Sequence, residues 1–322
     1  MFEHLGKRAV AVAVTILLLV TSLSGCSAFS ESAAPAPEKA KITVSALPTI
    51  DLAPLWLAQE GGYFEAEGLQ VALKPANSGQ PPYEEMNSGK VDMVLSSYVP
   101  FILSGSTRTQ NIRLVADGSS LDKYSSAIVT VPGSPVQRVV DLPGKRIAVV
   151  GNNTVAHLLT RSVMVDHGVD DDGVDWVTMR LEDVAAALNE KRVDAAYLPE
   201  PFLTQAVLSS RVTIVASLSS GASVNFPLTG YAATADWVSA NPNTLAAFRR
   251  ALAAASRDIA DRSKFEPIVV NHLKVSTDAA ALMSLPTFSS VVNPQRLQRV
   301  SDLLQAMQVT PERFDVNTII AR

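Results

Sequence analysis

The feature that most constrains the fold is a regular alternation of short β-rich runs with helical segments. It begins at Lys41 and is clearest in the middle of the chain, where KRIAVVG, TVAHLLTRSVMVDHG and DWVTMR follow one another. Strands separated by helices of roughly 10–15 residues predict βα units on a mainly parallel sheet. The chain has 322 residues, which suits about two domains of ordinary size. We therefore expect an α/β fold.

Two stretches of the chain resemble each other. MNSGKVDMVLSSYVPF (86–101) and LNEKRVDAAYLPEPF (188–202) share a helix end, a Val-Asp pair, an apolar strand and a final Pro-Phe. Chance also produces matches this short. Taken as a repeat, the pair predicts two similar α/β lobes that each present a strand end. Ligands of open α/β sheets lie beyond the carboxyl ends of strands, so we expect both exits to line one cleft.

Two extended apolar segments indicate where the lobes join. SAIVTVPG (126–133) and LTGYAATADWV (228–238) flank the central section. We expect them to carry the chain into the second lobe and back as a two-stranded hinge. The predicted first lobe then comprises residues 41–130 and 229–322, and the second lobe comprises residues 131–228. The helical C-terminal stretches are expected to pack on the first lobe.

The N-terminus predicts export and lipid attachment. Two basic residues precede AVAVTILLLV, which has the length of a signal-peptide core and is too short to span a bilayer alone. LSGC (23–26) looks like a bacterial lipobox, and Cys26 is the only cysteine. We expect a signal peptide over residues 1–25, lipid on Cys26, and a flexible tether over residues 26–40. The alternatives are an ordinary signal peptide with a chance cysteine, or an uncleaved anchor.

Composition and motifs exclude several classes of function. The net charge is −4 and the chain has no long basic stripe, which argues against nucleic-acid binding. Motifs such as HExxH, GxSxG, the P-loop and GxGxxG are absent, and one cysteine cannot build a Cys/His zinc site. DHGVDDDGVD (166–175) resembles a calcium loop but puts Met179 where the bidentate glutamate belongs. We expect no catalytic residue, no cofactor and no metal, and a small-molecule ligand.

Polar stretches follow several predicted strands. In GNNTVAHLL (151–159) the residues Asn152, Asn153 and Thr154 precede a helix, where free N–H groups and the helix dipole favour an anion. Plain N-capping is the alternative. In YLPEPF, Glu200 stands between two prolines that stiffen the strand exit. Weaker polar stretches are LPTIDLAPLW, ADGSSLDKY and SVNFPLTGY, and their shared position after strands predicts one cleft.

The chain resembles the substrate-binding lipoproteins of ABC importers from about Ile42 to its C-terminus. The resemblance is carried by APLWLAQEGGYFEAEGLQVAL, GKVDMVLSS, VVDLPGKRIAVVGNNTVAHLL, RVDAAYLPEPF and LTGYAATADWV. It is nearest to the NMT1/THI5-like branch for nitrate, sulfonates, taurine and thiamine-pyrimidine precursors. It implies a bilobal type II periplasmic-binding-protein fold that closes on its ligand at a hinge.

The same resemblance implies partners, location and site residues. The partners are an ABC permease and ATPase, and the lipid-anchored protein is expected to be a monomer on the extracytoplasmic face of the membrane, in the periplasm or at the cell surface. By position, the implied ligand-binding residues are Thr49, Asp51, Trp56, Ser97, Tyr98, Asp117, Asn152, Asn153, Thr154, Glu200 and Asn225.

The acids among these residues bear on the ligand. Asp51, Asp117 and Glu200 around a purely anionic ligand are unfavourable unless the ligand also carries donors or positive charge. A taurine-like zwitterion or an aminopyrimidine fits better, with Trp56 or Tyr98 available to stack on a ring. A strict sulfonate or nitrate binder is the alternative, since GNNT supplies donors. A sensor lipoprotein or a pyrimidine synthase relative is less favoured, because the cysteine-rich iron motif of such synthases is missing.

Overall fold

The computed structural model of the chain describes residues 35–76, 81–210 and 212–321. The expected signal peptide and Cys26 lie outside the described residues. Two β-sheets with helices packed around them make up the described part, as the α/β prediction requires. No helix in those three ranges is long and apolar enough to cross a membrane.

The first sheet has the strand order β11-β4-β10-β3-β1-β2. Its strands are β1 (Lys41–Ala46), β2 (Gln70–Pro75), β3 (Met93–Ser97), β4 (Ile112–Ser120), β10 (Pro227–Thr234) and β11 (Thr287–Phe288). The βα units at the start of the chain produce the parallel pairs of β1 with β2 and with β3. β10 returns from the other sheet and runs antiparallel to β3 and β4.

The second sheet has the strand order β7-β6-β8-β5-β9. Its strands are β5 (Ser126–Thr130), β6 (Arg146–Val149), β7 (Asp175–Thr178), β8 (Ala195–Pro199) and β9 (Thr213–Ser217). β6 pairs in parallel with β7 and β8, whereas β5 runs antiparallel to β8 and β9. Each sheet therefore combines a parallel βα part with antiparallel strands beside the chain crossings.

The helices cover both sheets. In chain order they are α1 (Ala53–Glu60), α2 (Tyr63–Ala66), α3 (Tyr83–Asn87), α4 (Tyr98–Ser106), α5 (Val155–Asp166), α6 (Leu181–Asn189), α7 (Phe202–Ser210), α8 (Ala235–Ala240), α9 (Pro242–Asp258), α10 (Arg262–Leu273), α11 (Thr277–Leu282) and α12 (Pro294–Ala306). Phe248 of α9 and Phe265 of α10 join Trp56 and Phe64 in one buried core beside the first sheet. The C-terminal helices pack on the first sheet as expected.

The chain changes sheets over residues 121–125 and returns over residues 218–226. These two crossings lie side by side, because the Leu121 N–H donates to the Phe226 carbonyl at 2.8 Å. The strands predicted to form the hinge do not pair with each other: β5 lies inside the second sheet and β10 inside the first. Every residue of β5 is buried, and a buried extended run satisfies its backbone groups only by pairing on both sides.

We refer to the described residues of 37–120 and 227–321 as the first lobe and to those of 126–217 as the second lobe. The first crossing therefore comes earlier than the boundary expected at residue 130. The end of the expected tether also differs from its prediction. The Glu38 carboxylate accepts the Thr244 N–H at 2.8 Å, and Lys39 Nζ lies 2.6 Å from Asp92. Residues 38 and 39 are thus bonded to the first lobe.

The repeated Val-Asp pair has the same structural role in both lobes. Asp92 precedes β3, and its backbone N–H donates to Thr43 of β1 while its carboxylate accepts the Thr43 N–H at 2.8 Å. Asp194 precedes β8 and makes the corresponding two bonds with Arg146 of β6, the second at 3.0 Å. In each lobe the aspartate sets the register between two parallel strands. The internal similarity therefore reflects two equivalent strand entries.

Candidate functional site

A cavity of about 90 Å³ lies between the lobes, at the ends of strands from both sheets. A single buried water needs roughly 10–15 Å³ by this measure, so the cavity is sized for a small molecule. Its polar lining comes from Thr49, Asp51, Ser96, Ser97 and Thr229 of the first lobe and from Ser126, Thr154 and Tyr197 of the second, with Ser125 of the first crossing between them. Leucine, valine and proline side chains form most of the remaining wall.

Four of the eleven predicted site residues line this cavity: Thr49, Asp51, Ser97 and Thr154. The other seven do not: Trp56, Tyr98, Asp117, Asn152, Asn153, Glu200 and Asn225. The sequence missed Tyr197, Ser126 and Thr229 as lining residues. Tyr197 and Thr229 belong to the stretches YLPEPF and SVNFPLTGY, in which the sequence instead points to Glu200 and Asn225.

Asp51 is held by hydroxyl groups on the first-lobe wall. It lies in a single helical turn directly after β1, and its Oδ2 accepts the Thr49 hydroxyl at 2.7 Å. Its Oδ1 accepts the Ser119 hydroxyl of β4, and that hydroxyl is 2.8 Å from Thr229 Oγ1. An ionised carboxylate has about four acceptor positions, so Asp51 keeps capacity for a donor in the cavity.

Ser97 contributes a hydroxyl that is available to a ligand. It ends β3 and is buried, and within the described ranges its Oγ has no hydrogen-bond partner. Leaving a buried polar group unpaired costs about 1–3 kcal/mol, and most such groups are paired in native structures. A polar ligand atom beside Ser97 would supply the missing bond.

Tyr197 covers the cavity from the second lobe. It is buried on β8, and Pro199, two residues further along, lines the same cavity, as strand alternation requires. Burial raises the pKa of Tyr197, the Ser126 hydroxyl acts in the opposite direction, and the negative charge of Asp51 raises the pKa further. The phenol is therefore protonated at neutral pH and can donate a hydrogen bond.

The charge of the lining is negative. Asp51 is the one charged residue among the described residues that line the cavity, and neither lysine nor arginine is found among them. Arg180 lines an adjoining cavity of about 260 Å³ that shares Leu47, Thr49, Val150 and Leu181 with the first. Its guanidinium is exposed and lies 3.3 Å from Glu182. A bare anion in the main cavity would consequently face a carboxylate, with no cation among the described residues that line that cavity.

Trp56, Tyr98 and Asp117 belong to the interior of the first lobe. Trp56 stacks on His272 with the ring centroids 4.6 Å apart. Tyr98 donates to Asp117 Oδ1 at 2.5 Å, and burial raises the pKa of both side chains. Gly230 permits this packing, since a Cβ there would lie 2.4 Å from the Tyr98 ring. None of the three side chains is available for stacking on or binding a ligand in the cavity.

Only the last residue of the GNNT turn reaches the cavity. Asn152 and Asn153 are exposed, whereas Thr154 is buried at the start of α5 and donates from its hydroxyl to the Gly151 carbonyl at 2.7 Å. Asn225 is exposed in the second crossing, where its carbonyl accepts from Arg299 of α12 at 3.3 Å. Its φ of 51° suits an asparagine in the left-handed region.

Glu200 lies behind the cavity wall. Its side chain is buried, with 1% of the residue surface exposed. Oε1 accepts the Thr204 hydroxyl at 2.7 Å and the Ser284 N–H at 3.2 Å, and Oε2 accepts the Thr204 N–H at 3.1 Å. Burial raises the pKa of the carboxyl, and these hydrogen bonds partly oppose that effect. Pro199 is the part of this exit that lines the cavity.

Metal ligation finds no support in the described residues. No group of three or more His, Cys, Asp or Glu side chains among them is arranged to hold an ion. In the calcium-like stretch, Asp171 lies 2.9 Å from Arg161, and Asp170 accepts the Asp172 N–H at 3.1 Å. Those contacts are typical of a solvated turn between a helix and a strand.

Comparison with protein families identifies the chain. The family model described as NMT1/THI5 like matches residues 49–263, which is more than half of the 322 residues. The chain belongs to the NMT1/THI5-like family. The matched range contains every residue named above as polar lining of the cavity.

Members of two functional kinds are similar to this NMT1/THI5-like chain. The 4-amino-5-hydroxymethyl-2-methylpyrimidine phosphate synthase of Aspergillus parasiticus is 36% identical over 100 residues, 31% of this chain and 28% of that protein. A putative aliphatic sulfonates-binding protein of Bacillus subtilis is 26% identical over 204 residues, 62% and 58% of the two chains. The chain thus spans under two thirds of the length of either relative.

Solved structures share the fold. The alkanesulfonate-binding protein SsuA from Xanthomonas axonopodis pv. citri, bound to MOPS, superposes with a TM-score of 0.75 at 16% identity and covers 88% of this chain and 99% of its own. The periplasmic nitrate-binding protein NrtA from Synechocystis PCC 6803 gives 0.75 at 14% identity, with 88% and 86% covered. Both are binding proteins, and the likeness establishes the periplasmic-binding-protein fold.

Proposed function

We propose that the protein is the extracytoplasmic solute-binding component of an ABC importer and binds a small amine-bearing ligand in the cavity between its lobes. The observation that carries the proposal is the lone charge of the described lining, the Asp51 carboxylate. At an effective dielectric constant of 20, two unit charges 4 Å apart interact by about 4 kcal/mol before desolvation. That interaction attracts an ammonium or protonated ring and repels an anion.

The remaining lining favours an aminopyrimidine. An exocyclic amine can donate to Asp51, and a ring nitrogen can pair with the hydroxyl of Ser97 or Tyr197. Leu95 and Leu181 belong to the apolar lining that would enclose a ring. The synthase relatives are named for making the phosphate of an aminopyrimidine, which adds support from the similar proteins.

A taurine-like zwitterion is the second candidate. Thr154 lines the cavity at the start of α5, and a helix N-terminus favours a negative group. Taurine could place its amine at Asp51 and its sulfonate toward Thr154. A strict sulfonate or nitrate binder, the third candidate, has support in the names of SsuA, NrtA and the Bacillus relative but offers no donor to Asp51.

The binding role is preferred over catalysis. The described lining holds one carboxylate, several hydroxyls and apolar side chains, with no acid–base pair and no activated nucleophile beside it. The synthase relatives match this chain over only 28% of their own length. The chain has a single cysteine, Cys26. The same reasoning leaves a non-transporting sensor as a less favoured alternative.

Lipid attachment and membrane partners complete the proposal. Residues 1–25 are the proposed signal peptide, Cys26 is the proposed lipidation site, and the protein is a monomer that delivers ligand to a permease and its ATPase. If so, Cys26→Ser should abolish incorporation of radiolabelled palmitate and release the protein from membranes. Continued incorporation of label by Cys26→Ser would contradict the lipobox.

Matched ligand pairs test the ligand class. Thermal unfolding of the full chain should be measured with taurine and ethanesulfonate, which differ by the amine, and with 4-aminopyrimidine and pyrimidine. A ligand present at 100 times its Kd stabilises the folded state by about 2.7 kcal/mol. We expect a shift in Tm only with the amine-bearing member of a pair. Equal or greater stabilisation by ethanesulfonate or nitrate would overturn the proposed ligand class.

A further inference from the structure

Glu200 is bonded to both lobes at once. Its backbone N–H donates to the Ser125 carbonyl of the first crossing at 3.0 Å. Its carboxylate accepts two bonds from Thr204 in the first turn of α7, which is part of the second lobe. The third bond to the carboxylate comes from the Ser284 N–H, 3.2 Å away in the first-lobe segment between α11 and β11. One residue therefore joins three parts of the molecule: its backbone bonds the crossing, and its side chain bonds both the second and the first lobe.

Glu200 and Ser284, the two residues of the bond between the lobes, are each close in sequence to a residue of the cavity wall. Pro199 precedes Glu200 and lines the cavity from the second lobe, while Pro286 follows Ser284 by two residues and lines it from the first. β11 begins at the next residue and pairs with Ser119 and Ser120 of β4. Ser119 in turn donates to Asp51. A shift of Ser284 relative to Glu200 would change the spacing of the two walls.

The burial of Glu200 makes the contact between lobes consequential. A buried carboxylate depends on its hydrogen bonds for stability, because they replace its lost hydration. Separation of the lobes would remove the Ser284 N–H, and Oε1 would keep only the Thr204 hydroxyl until water replaced the lost donor. The bond therefore favours the arrangement in which the two lobes are together.

We propose that Glu200 is a positioning residue: it fixes the spacing of the lobes through Ser284 and so controls how tightly the cavity holds its ligand without touching it. The proposal concerns the same cavity as the proposed function and rests on it for the effect on the ligand. The effect on lobe spacing is independent of any ligand.

Two substitutions separate the contact between lobes from the contact inside one lobe. Ser284→Pro removes the backbone donor from the first lobe. Thr204→Val removes the hydroxyl that donates to the same oxygen from within the second lobe and serves as the control. Glu200→Met is a second test variant, since its side chain has a similar length and no oxygen that could accept the Ser284 N–H. It keeps the proposal testable if proline at position 284 prevents folding.

The lobe spacing can be measured without ligand. Spin labels on Glu65→Cys in the first lobe and Glu190→Cys in the second, both exposed positions, report it by double electron–electron resonance in the full chain with Cys26→Ser. Ser284→Pro and Glu200→Met should move the distance distribution to longer values, and Thr204→Val should leave it unchanged. Distributions identical to the parent for both test variants, or an equal shift in Thr204→Val, would overturn the proposal.

The effect on binding forms the second readout. With whichever amine-bearing probe stabilises the parent, Glu200→Met should weaken binding by about threefold to tenfold, the scale of one hydrogen bond, while Thr204→Val stays within about twofold. Unchanged affinity together with a shifted spacing would overturn the link between them. If no probe stabilises the parent, the proposed ligand class fails, and the label distances still decide the role of Glu200.

Discussion

The two copies of the internal repeat begin alike and end differently. Both enter their strands through an aspartate that bonds the neighbouring parallel strand, Asp92 to Thr43 and Asp194 to Arg146. At the exits, Ser97 lines the cavity with a hydroxyl that has no hydrogen-bond partner among the described residues, whereas Glu200 does not line the cavity and bonds Thr204 and Ser284. Equivalent strand entries thus lead to different exits: the first strand ends at a hydroxyl in the cavity lining, and the second is followed by a buried carboxylate that bonds both lobes.

The strand entries should differ in how much stability they carry. The Asp92 carboxylate is buried and accepts bonds from Thr43, Lys39 and Trp237. We expect Asp92→Ala to lower the free energy of unfolding by about 3 kcal/mol, because buried donors lose their acceptor. Asp194→Ala should cost about 1.5 kcal/mol, since its partner Arg146 is partly solvated. Urea denaturation measures the free energy of unfolding of both variants. Equal losses in the two variants would contradict the expected difference between Asp92 and Asp194.

The packing of Tyr98, which directly follows β3, depends on Gly230. Alanine at this position would bring a Cβ to 2.4 Å from the Tyr98 ring. Overpacking of a core typically costs about 1–3 kcal/mol, and we expect Gly230→Ala to lose that much stability in the same assay. Gly230→Ala combined with Tyr98→Leu should recover part of the loss. If Gly230→Ala alone were as stable as the parent, the Tyr98 ring would not be fixed against position 230.

The Ser97 hydroxyl at the end of β3 should affect ligand affinity more than the stability of the fold. Ser97→Ala removes an oxygen that has no partner within the described residues, so stability should stay the same or rise by up to about 1 kcal/mol. Binding of the amine-bearing ligand should weaken by about fivefold to tenfold. Isothermal titration calorimetry measures the affinity, with the exposed Ser239→Ala as control. A loss of stability without a change in affinity would contradict the assignment.

The stability that Glu200 contributes at the exit of β8 should depend weakly on pH. Burial raises the pKa of Glu200 above its ordinary value of 4.5. A carboxyl with a raised folded-state pKa contributes stability that is complete below the unfolded value and is lost as the pH rises through the folded value. Stability attributable to Glu200 should therefore decline as the pH rises above 4.5. Glu200→Gln should unfold with a flatter pH profile, and parallel profiles would count against the burial effect.

Much of this architecture follows from residue patterns. The βα alternation and the Val-Asp repeat identified the fold class, the strand entries and two lobes, because periodicity and turn residues are local signals. Two crossings side by side join the lobes as expected, but they lie at residues 121–125 and 218–226, just before the two segments named from the sequence. The sequence of an apolar extended run does not show which sheet completes its hydrogen bonds. β5 and β10 lie in different sheets for that reason.

Side-chain direction at the strand exits is where the sequence was insufficient. In β4, Asp117 pairs with Gly230 and Ser119 with Thr229, so Gly118 is an extra residue that forms a β-bulge. The bulge breaks simple alternation, and Asp117 bonds Tyr98 while Ser119 bonds Asp51. The stretch ADGSSLDKY does contain the residue that bonds Asp51, but the sequence pattern alone could not select Ser119 over Asp117.

The central claim is that Asp51 selects an amine, and calorimetry on matched variants tests it most directly. Asp51→Asn keeps the shape of the side chain and removes its charge, and Asp172→Asn, at an exposed turn of the second lobe, is the control. We predict that Asp51→Asn weakens binding of the amine-bearing ligand by about tenfold or more, with the control unchanged. Equal affinity in Asp51→Asn and parent, or tighter binding of nitrate or ethanesulfonate by the parent, would contradict the claim.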